Sequence, residues 1–152
     1  MKNIFGIVFF LALFGLSGLV SVEASTQEER QKLFSQCYKD PAADTAKYGH
    51  GGNCYAHCLP GECERLGFVI RTNLFNICRN NPNADAQRYG HGGNCCAHIT
   101  RSEGDLVNRQ AGKRLCNFDT NPNVSLEDLV EVYNAGCTVA LAVGYTCVPI
   151  PQ

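Results

Sequence analysis

The chain has 152 residues, a formal net charge of −1 at pH 7, ten cysteines and four histidines. So even a charge balance supplies no basic field for nucleic acid and no cationic face for anionic membranes. An even cysteine count in a small chain points to five disulfides, no free thiol and an oxidising compartment.

Lys2 precedes an apolar run over residues 4–20, and Val22-Glu23-Ala24 supplies the small residues that a signal peptidase accepts. Residues 1–24 therefore read as a signal peptide and residues 25–152 as a single disulfide-stabilised, secreted domain of about 128 residues. Residues 139–148 are the nearest later apolar stretch, too short to span a bilayer, and they read as core. The mature chain is expected not to insert stably into a membrane.

The fold expectation is mainly α: two clear helical repeats of about 41 residues and a third, degenerate one. Thr26-Gln27-Glu28-Glu29 opens a helix that carries Leu33, Phe34 and Cys37 on one face. Asp40-Pro41 caps a second, shorter helix that Gly49 stops, and Asn53 starts a third short helix with Cys54, His57 and Cys58. Pro60-Gly61 ends the unit.

The stretch Tyr48-Gly49-His50-Gly51-Gly52-Asn53-Cys54-Tyr55-Ala56-His57 returns as Tyr89-Gly90-His91-Gly92-Gly93-Asn94-Cys95-Cys96-Ala97-His98, an offset of 41 residues. The match extends to Cys37/Cys78, Pro41/Pro82, Ala43/Ala84 and Asp44/Asp85. Unit two thus predicts helices over 64–78 and from Asn81-Pro82 to Tyr89, then a short piece over 94–101. The units fall at about 25–61, 62–101 and 102–152.

The degenerate unit predicts helices over 105–116 and from Ser125-Leu126-Glu127-Asp128 onward, with 140–145 fully buried. It lacks both histidines. Register makes Cys37/Cys54, Cys78/Cys95 and Cys116/Cys137 equivalent, each closing its own unit, with Cys58–Cys63 and Cys96–Cys147 as the remaining pairs. Bonds between neighbouring units remain an equal alternative. Asn123-Val124-Ser125 is a glycosylation sequon at Asn123. Gly112-Lys113-Arg114 has the form of a dibasic processing signal, placed by register in the last turns of a helix.

The duplicated motif admits three readings. As architecture, its glycines cap helices and its histidines anchor to carbonyls. As a metal centre for zinc or copper, His50, His57, His91 and His98 supply four imidazoles to one ion if the two units face each other. Bonded cysteines are no help there.

As an enzyme, Cys95-Cys96-Ala97-His98 beneath a tyrosine–glycine loop resembles the secreted phospholipase A2 family, over about ten residues. That resemblance implies a calcium-dependent lipid hydrolase with its histidine on a disulfide-braced helix. The sequence departs from it: the histidine falls one residue early, about 100° around a helix, and Ile99 stands where the family's calcium-binding aspartate follows. No nucleophile elbow or metalloprotease helix is present.

The leading expectation is a non-enzymatic toxin, effector or host-defence factor that binds an extracellular protein or cell-surface target. Tyr55, Phe68, Tyr145 and Val148-Pro149-Ile150-Pro151 are its candidate contact residues. N-terminal sequencing of the exported protein is expected to begin Ser25-Thr26-Gln27; retention of Met1 would contradict this.

Overall fold

The computed structural model describes residues 25–152, so the expected signal peptide lies outside the described residues. The described chain forms six α-helices and two short 3-10 turns joined by loops, and no strand occurs among those residues. The mainly α expectation therefore holds.

Local chemistry sets most boundaries. In α1 (Gln27–Lys39) the Thr26 hydroxyl accepts from the Glu29 N–H at 3.2 Å, and the Glu29 carboxylate accepts from the Thr26 N–H at 2.8 Å. Asp40 caps α2 (Pro41–Tyr48) by accepting from the Ala43 N–H at 3.0 Å, with Pro41 in the first turn. Asn81 does the same for α4 (Pro82–Tyr89) through the Ala84 N–H at 3.1 Å. Both helices end at a left-handed glycine, Gly49 or Gly90, each with φ 76°.

Between them α3 (Glu64–Asn80) runs through the middle of the molecule, buried along Leu66, Val69, Ile70 and Leu74. It packs with Phe34 of α1, with Leu106 of α5 (Arg101–Ala111), and with Leu129, Val130, Tyr133 and Ala140 of α6 (Leu126–Ala142). A second, smaller cluster joins Phe75, Ile99, Val107 and Cys116.

The third unit departs from expectation. A Thr100–Glu103 capping box starts α5 at Arg101, and Gly112 ends it with φ 62°. The expected helix over 105–116 is thus shifted towards the N-terminus, and the Lys113-Arg114 pair lies exposed beyond the helix. Of residues 140–145 only Ala140 is buried, because the helix presents Leu141 and Ala142 to solvent.

Five disulfides are present and no described cysteine is free. Cys37–Cys54 and Cys78–Cys95 pair as register suggests, and Cys58–Cys63 closes the small loop around Pro60-Gly61 as expected. The expected Cys116–Cys137 and Cys96–Cys147 bonds do not form; Cys96 bonds Cys116 and Cys137 bonds Cys147. The early end of α5 returns the chain to the second 3-10 turn, so Cys116 meets Cys96 with Cα atoms 5.7 Å apart. Cys137 instead meets the segment that folds back along α6.

Ion pairs join the helices at two points. Arg71 of α3 donates to Glu103 of α5 at 2.7 and 3.2 Å and to the Tyr55 hydroxyl at 2.5 Å. Burial opposes the Arg71 charge, but the Glu103 contact outweighs it and raises the arginine pKa. At the other end Arg30 pairs with Glu62 at 2.5 and 2.8 Å, holding α1 to the turn before α3.

The α3–α6 contact depends on Gly136. A Cβ there would collide with the Arg65 carbonyl oxygen and lie 2.7 Å from Val69 Cγ2. Gly136→Ala is expected to destabilise the protein by about 1–3 kcal/mol, the usual range for overpacking, measured as a lowered denaturation midpoint; an unchanged midpoint would contradict the contact.

The hydrogen bonds from Arg30 hold the Glu62 carboxyl below its ordinary pKa, against the opposing effect of burial. Its stabilising contribution is therefore complete above the unfolded value of about 4.3 and is lost as pH falls through the lower folded value. Thermal melts of Glu62→Gln are expected to show a smaller drop than the native protein between about pH 5 and pH 2. Parallel curves would count against the pair.

Candidate metal centres

The loop after α2 carries Gly49, Gly51 and Gly52 at φ 76°, 64° and 76°, and the loop after α4 repeats this with Gly90, Gly92 and Gly93 at 76°, 64° and 77°. Left-handed backbone is inexpensive for glycine alone. The path reverses the chain within a few residues and sets the intervening histidine over the helix it has just left. The 3-10 turns Cys54–His57 and Cys95–His98 then bring the second histidine back to the same helix. Asn53 and Asn94 precede these turns but make no side-chain cap.

Two side-chain clusters result, one per unit. In the first, His57 Nε2 lies 2.8 Å from Asp44 Oδ1 and 3.1 Å from His50 Nε2, and His50 Nε2 lies 3.4 Å from Asp44 Oδ2. In the second, His98 Nε2 lies 2.8 Å from Asp85 Oδ2 and 3.0 Å from His91 Nε2, while His91 Nε2 is 3.1 Å from Asp85 Oδ2.

Tyr48 stacks parallel to His50, with an interplanar angle of 3°, and meets the edge of His57; Tyr89 does the same for His91 and His98. Asp44, His57 and Asp85 are buried, whereas the side chains of His50 and His91 keep 20% and 19% of their surface. One edge of each cluster is thereby open to solvent.

In the second cluster Asp85 Oδ2, His91 Nε2 and His98 Nε2 lie within 2.8–3.1 Å of one another, whereas in the first the Asp44 carboxylate spans the pair, Oδ1 2.8 Å from His57 and Oδ2 3.4 Å from His50, with the two imidazole nitrogens 3.1 Å apart. A neutral imidazole nitrogen offers one proton or one lone pair, so His57 Nε2 cannot make a well-directed hydrogen bond to both Asp44 and His50. Asp44 Oδ2 is buried and accepts no hydrogen bond among the described residues. Ligands at about 2.0–2.1 Å from a tetrahedral zinc ion lie roughly 3.3 Å from one another. The imidazole–imidazole separations of 3.1 and 3.0 Å come near that spacing, and the 2.8 Å Asp–His contacts are hydrogen-bond distances that have to lengthen to admit an ion.

The four histidines thus group as His50 with His57 and His91 with His98, in place of the single shared site expected from sequence. Each loop folds onto its own helix, and no hydrogen bond or ion pair among the described residues joins one pair to the other. The histidine-only candidate set read from sequence leaves out the aspartates, although Asp44 and Asp85 stand at matching positions of the repeat. The second cluster borders a cleft of about 300 Å³ between the units, lined by Tyr38, Tyr55, Arg71, Tyr89 and His98. The Tyr89 hydroxyl donates to the Tyr38 carbonyl at 3.3 Å across it.

The local geometry implied by the phospholipase resemblance is not found. His98 ends a four-residue 3-10 turn, and Ile99 is buried in the smaller core cluster. Among the candidate contact residues, Phe68 belongs to the core, Tyr55 packs against Phe34, Tyr145 is half-buried and Val148 is exposed. Asn123 is exposed ahead of α6, next to the Ser125 cap. No helix among the described residues is long and apolar enough to cross a membrane.

Comparison of the chain with protein-family models, with curated proteins and with solved structures yields no match.

Proposed function

We propose that the protein is a secreted, disulfide-stabilised, non-enzymatic factor that binds a transition-metal ion, zinc or copper, at each of two Asp-His-His centres built on a duplicated helical unit. The observation that carries this reading is the convergence of Asp44, His50 and His57, repeated by Asp85, His91 and His98. Two imidazoles and one carboxylate form a borderline donor set that suits zinc and copper better than calcium or magnesium, which prefer all-oxygen shells. Three protein donors leave a coordination position for water or an exogenous ligand.

The toxin, effector or host-defence role, exercised on an extracellular protein or cell-surface target, is compatible with such a factor and rests on compartment and stapling. The geometry favours the metal because it supplies the donors. His50 Nδ1 and His91 Nδ1 are buried without a hydrogen-bond partner. Metal-bound imidazoles are ordinarily oriented through that second nitrogen, and its loss weakens binding by about 10–100-fold. The centres should therefore be exchangeable sites of modest affinity.

Isothermal titration of the oxidised mature protein with zinc and with copper at neutral pH tests this. Two equivalents are expected for the native protein, one for His50→Ala, and none for His50→Ala/His91→Ala. A single equivalent would restore the shared four-histidine site. No heat with either ion, or undiminished binding by the double variant, would exclude the metal reading.

A further inference from the structure

Each cluster has a neighbour that the metal reading leaves unused. Cys37 Sγ, a carboxylate oxygen of Asp44 and a ring nitrogen of His57 all lie within 4.8 Å of one another, and Cys78, Asp85 and His98 repeat the arrangement. Cys37 and Cys78 are fully buried. Both are bonded, to Cys54 and Cys95, and a disulfide sulfur is a poor metal donor compared with a thiolate.

We propose that Cys37 and Cys78 are latent metal ligands, each released by reduction of its disulfide to complete a four-donor site with the Asp-His-His triad of its own unit. The inference rests on the metal-binding reading of those triads. The reductant is a thiol of the glutathione class. Two R–SH molecules are oxidised to R–S–S–R, the Cys37–Cys54 bond takes two electrons, and each cysteine sulfur receives a proton. Metal binding then displaces the Cys37 proton to solvent and forms the metal–thiolate bond.

Several features of the molecule support this. A sulfur about 2.3 Å from zinc lies roughly 3.5 Å from nitrogen or oxygen ligands of the same tetrahedron. The sulfur starts at most 4.8 Å from the Asp and from the second histidine of its unit, and the S–S bond keeps it from closing on the donor set that His50 or His91 completes. It is the helix-borne sulfur that lies near the Asp and His of its unit; Cys54 Sγ packs 3.6 Å from the Gly52 carbonyl oxygen, and in the second unit Cys95 Sγ and Cys78 Sγ lie 3.6 and 4.0 Å from that of Gly93. Three other disulfides, Cys58–Cys63, Cys96–Cys116 and Cys137–Cys147, remain to hold the chain when these two open. A soft fourth donor also shifts the site towards zinc and cuprous copper.

Cobalt, whose thiolate complexes have a sulfur-to-metal charge-transfer absorption, gives the test. Cys54→Ser frees Cys37 and Cys95→Ser frees Cys78, each in the full mature chain, with circular dichroism to confirm the helical fold. Both variants are expected to show the charge-transfer band and to bind zinc roughly tenfold or more tightly than the oxidised native protein. The oxidised native protein and Cys37→Ser/Cys54→Ser should take up cobalt without the band. If the serine variants lose helical structure, the native protein reduced with a phosphine, with the opened bonds mapped by mass spectrometry, is read for the same band. Cobalt uptake by the native protein with no band in any folded or reduced form overturns the latent-ligand proposal alone. No cobalt uptake by any form overturns the metal reading on which it rests.

Discussion

The Cys37–Cys54 bond, with its counterpart Cys78–Cys95, is the constraint on which the rest depends. Each joins a long helix to a 3-10 turn across a loop rich in left-handed glycine. Such a loop gains little from its own contacts, and its unfolded form has unusual conformational freedom. Cross-linking residues 17 apart removes about 3 kcal/mol of that freedom in the chain-entropy picture. The staple fixes the turn that carries His57 or His98, and the turn then returns the imidazole to Asp44 or Asp85. Covalent geometry therefore comes first, and the donor cluster follows from it.

Helix α3 extends this local order to the whole molecule. It is the long helix of the second unit and also the surface on which α1, α5 and α6 pack, so the two centres share one rigid support. Close approach at Gly136 and the buried Arg71–Glu103 pair keep that support in a single arrangement. Breaking such a pair by removing one partner strands a buried charge, which is why Tyr38, Tyr55 and Glu103 all gather on the guanidinium. Precision at the donors is thus inherited from packing some distance away.

The two centres are alike in donors and different in surroundings. Their loops agree in every glycine φ to within a degree, yet the second cluster borders the cleft where Tyr38 and Tyr55 of the first unit meet Tyr89. Under the proposed metal-binding function, equal donors in unequal settings would give the two sites different exchange rates. The partly exposed His50 and His91 edges are where exchange would occur.

The sequence by itself determined the helical class, the caps at Thr26, Asp40, Asn81 and Ser125, the glycine stops, and the four histidines as an equivalent set, because each depends on residues within a few positions of one another. It also carried the aspartates, as matched residues without an assigned role. Tertiary structure alone decided that the histidines pair within units, since the sense in which a glycine loop folds back is fixed by its disulfide anchor and not by spacing. It also decided that Cys116 turns to Cys96 and Cys137 to Cys147. Those pairings follow from where α5 stops and how the C-terminal segment returns along α6, and such long-range proximity leaves no periodic trace in the chain.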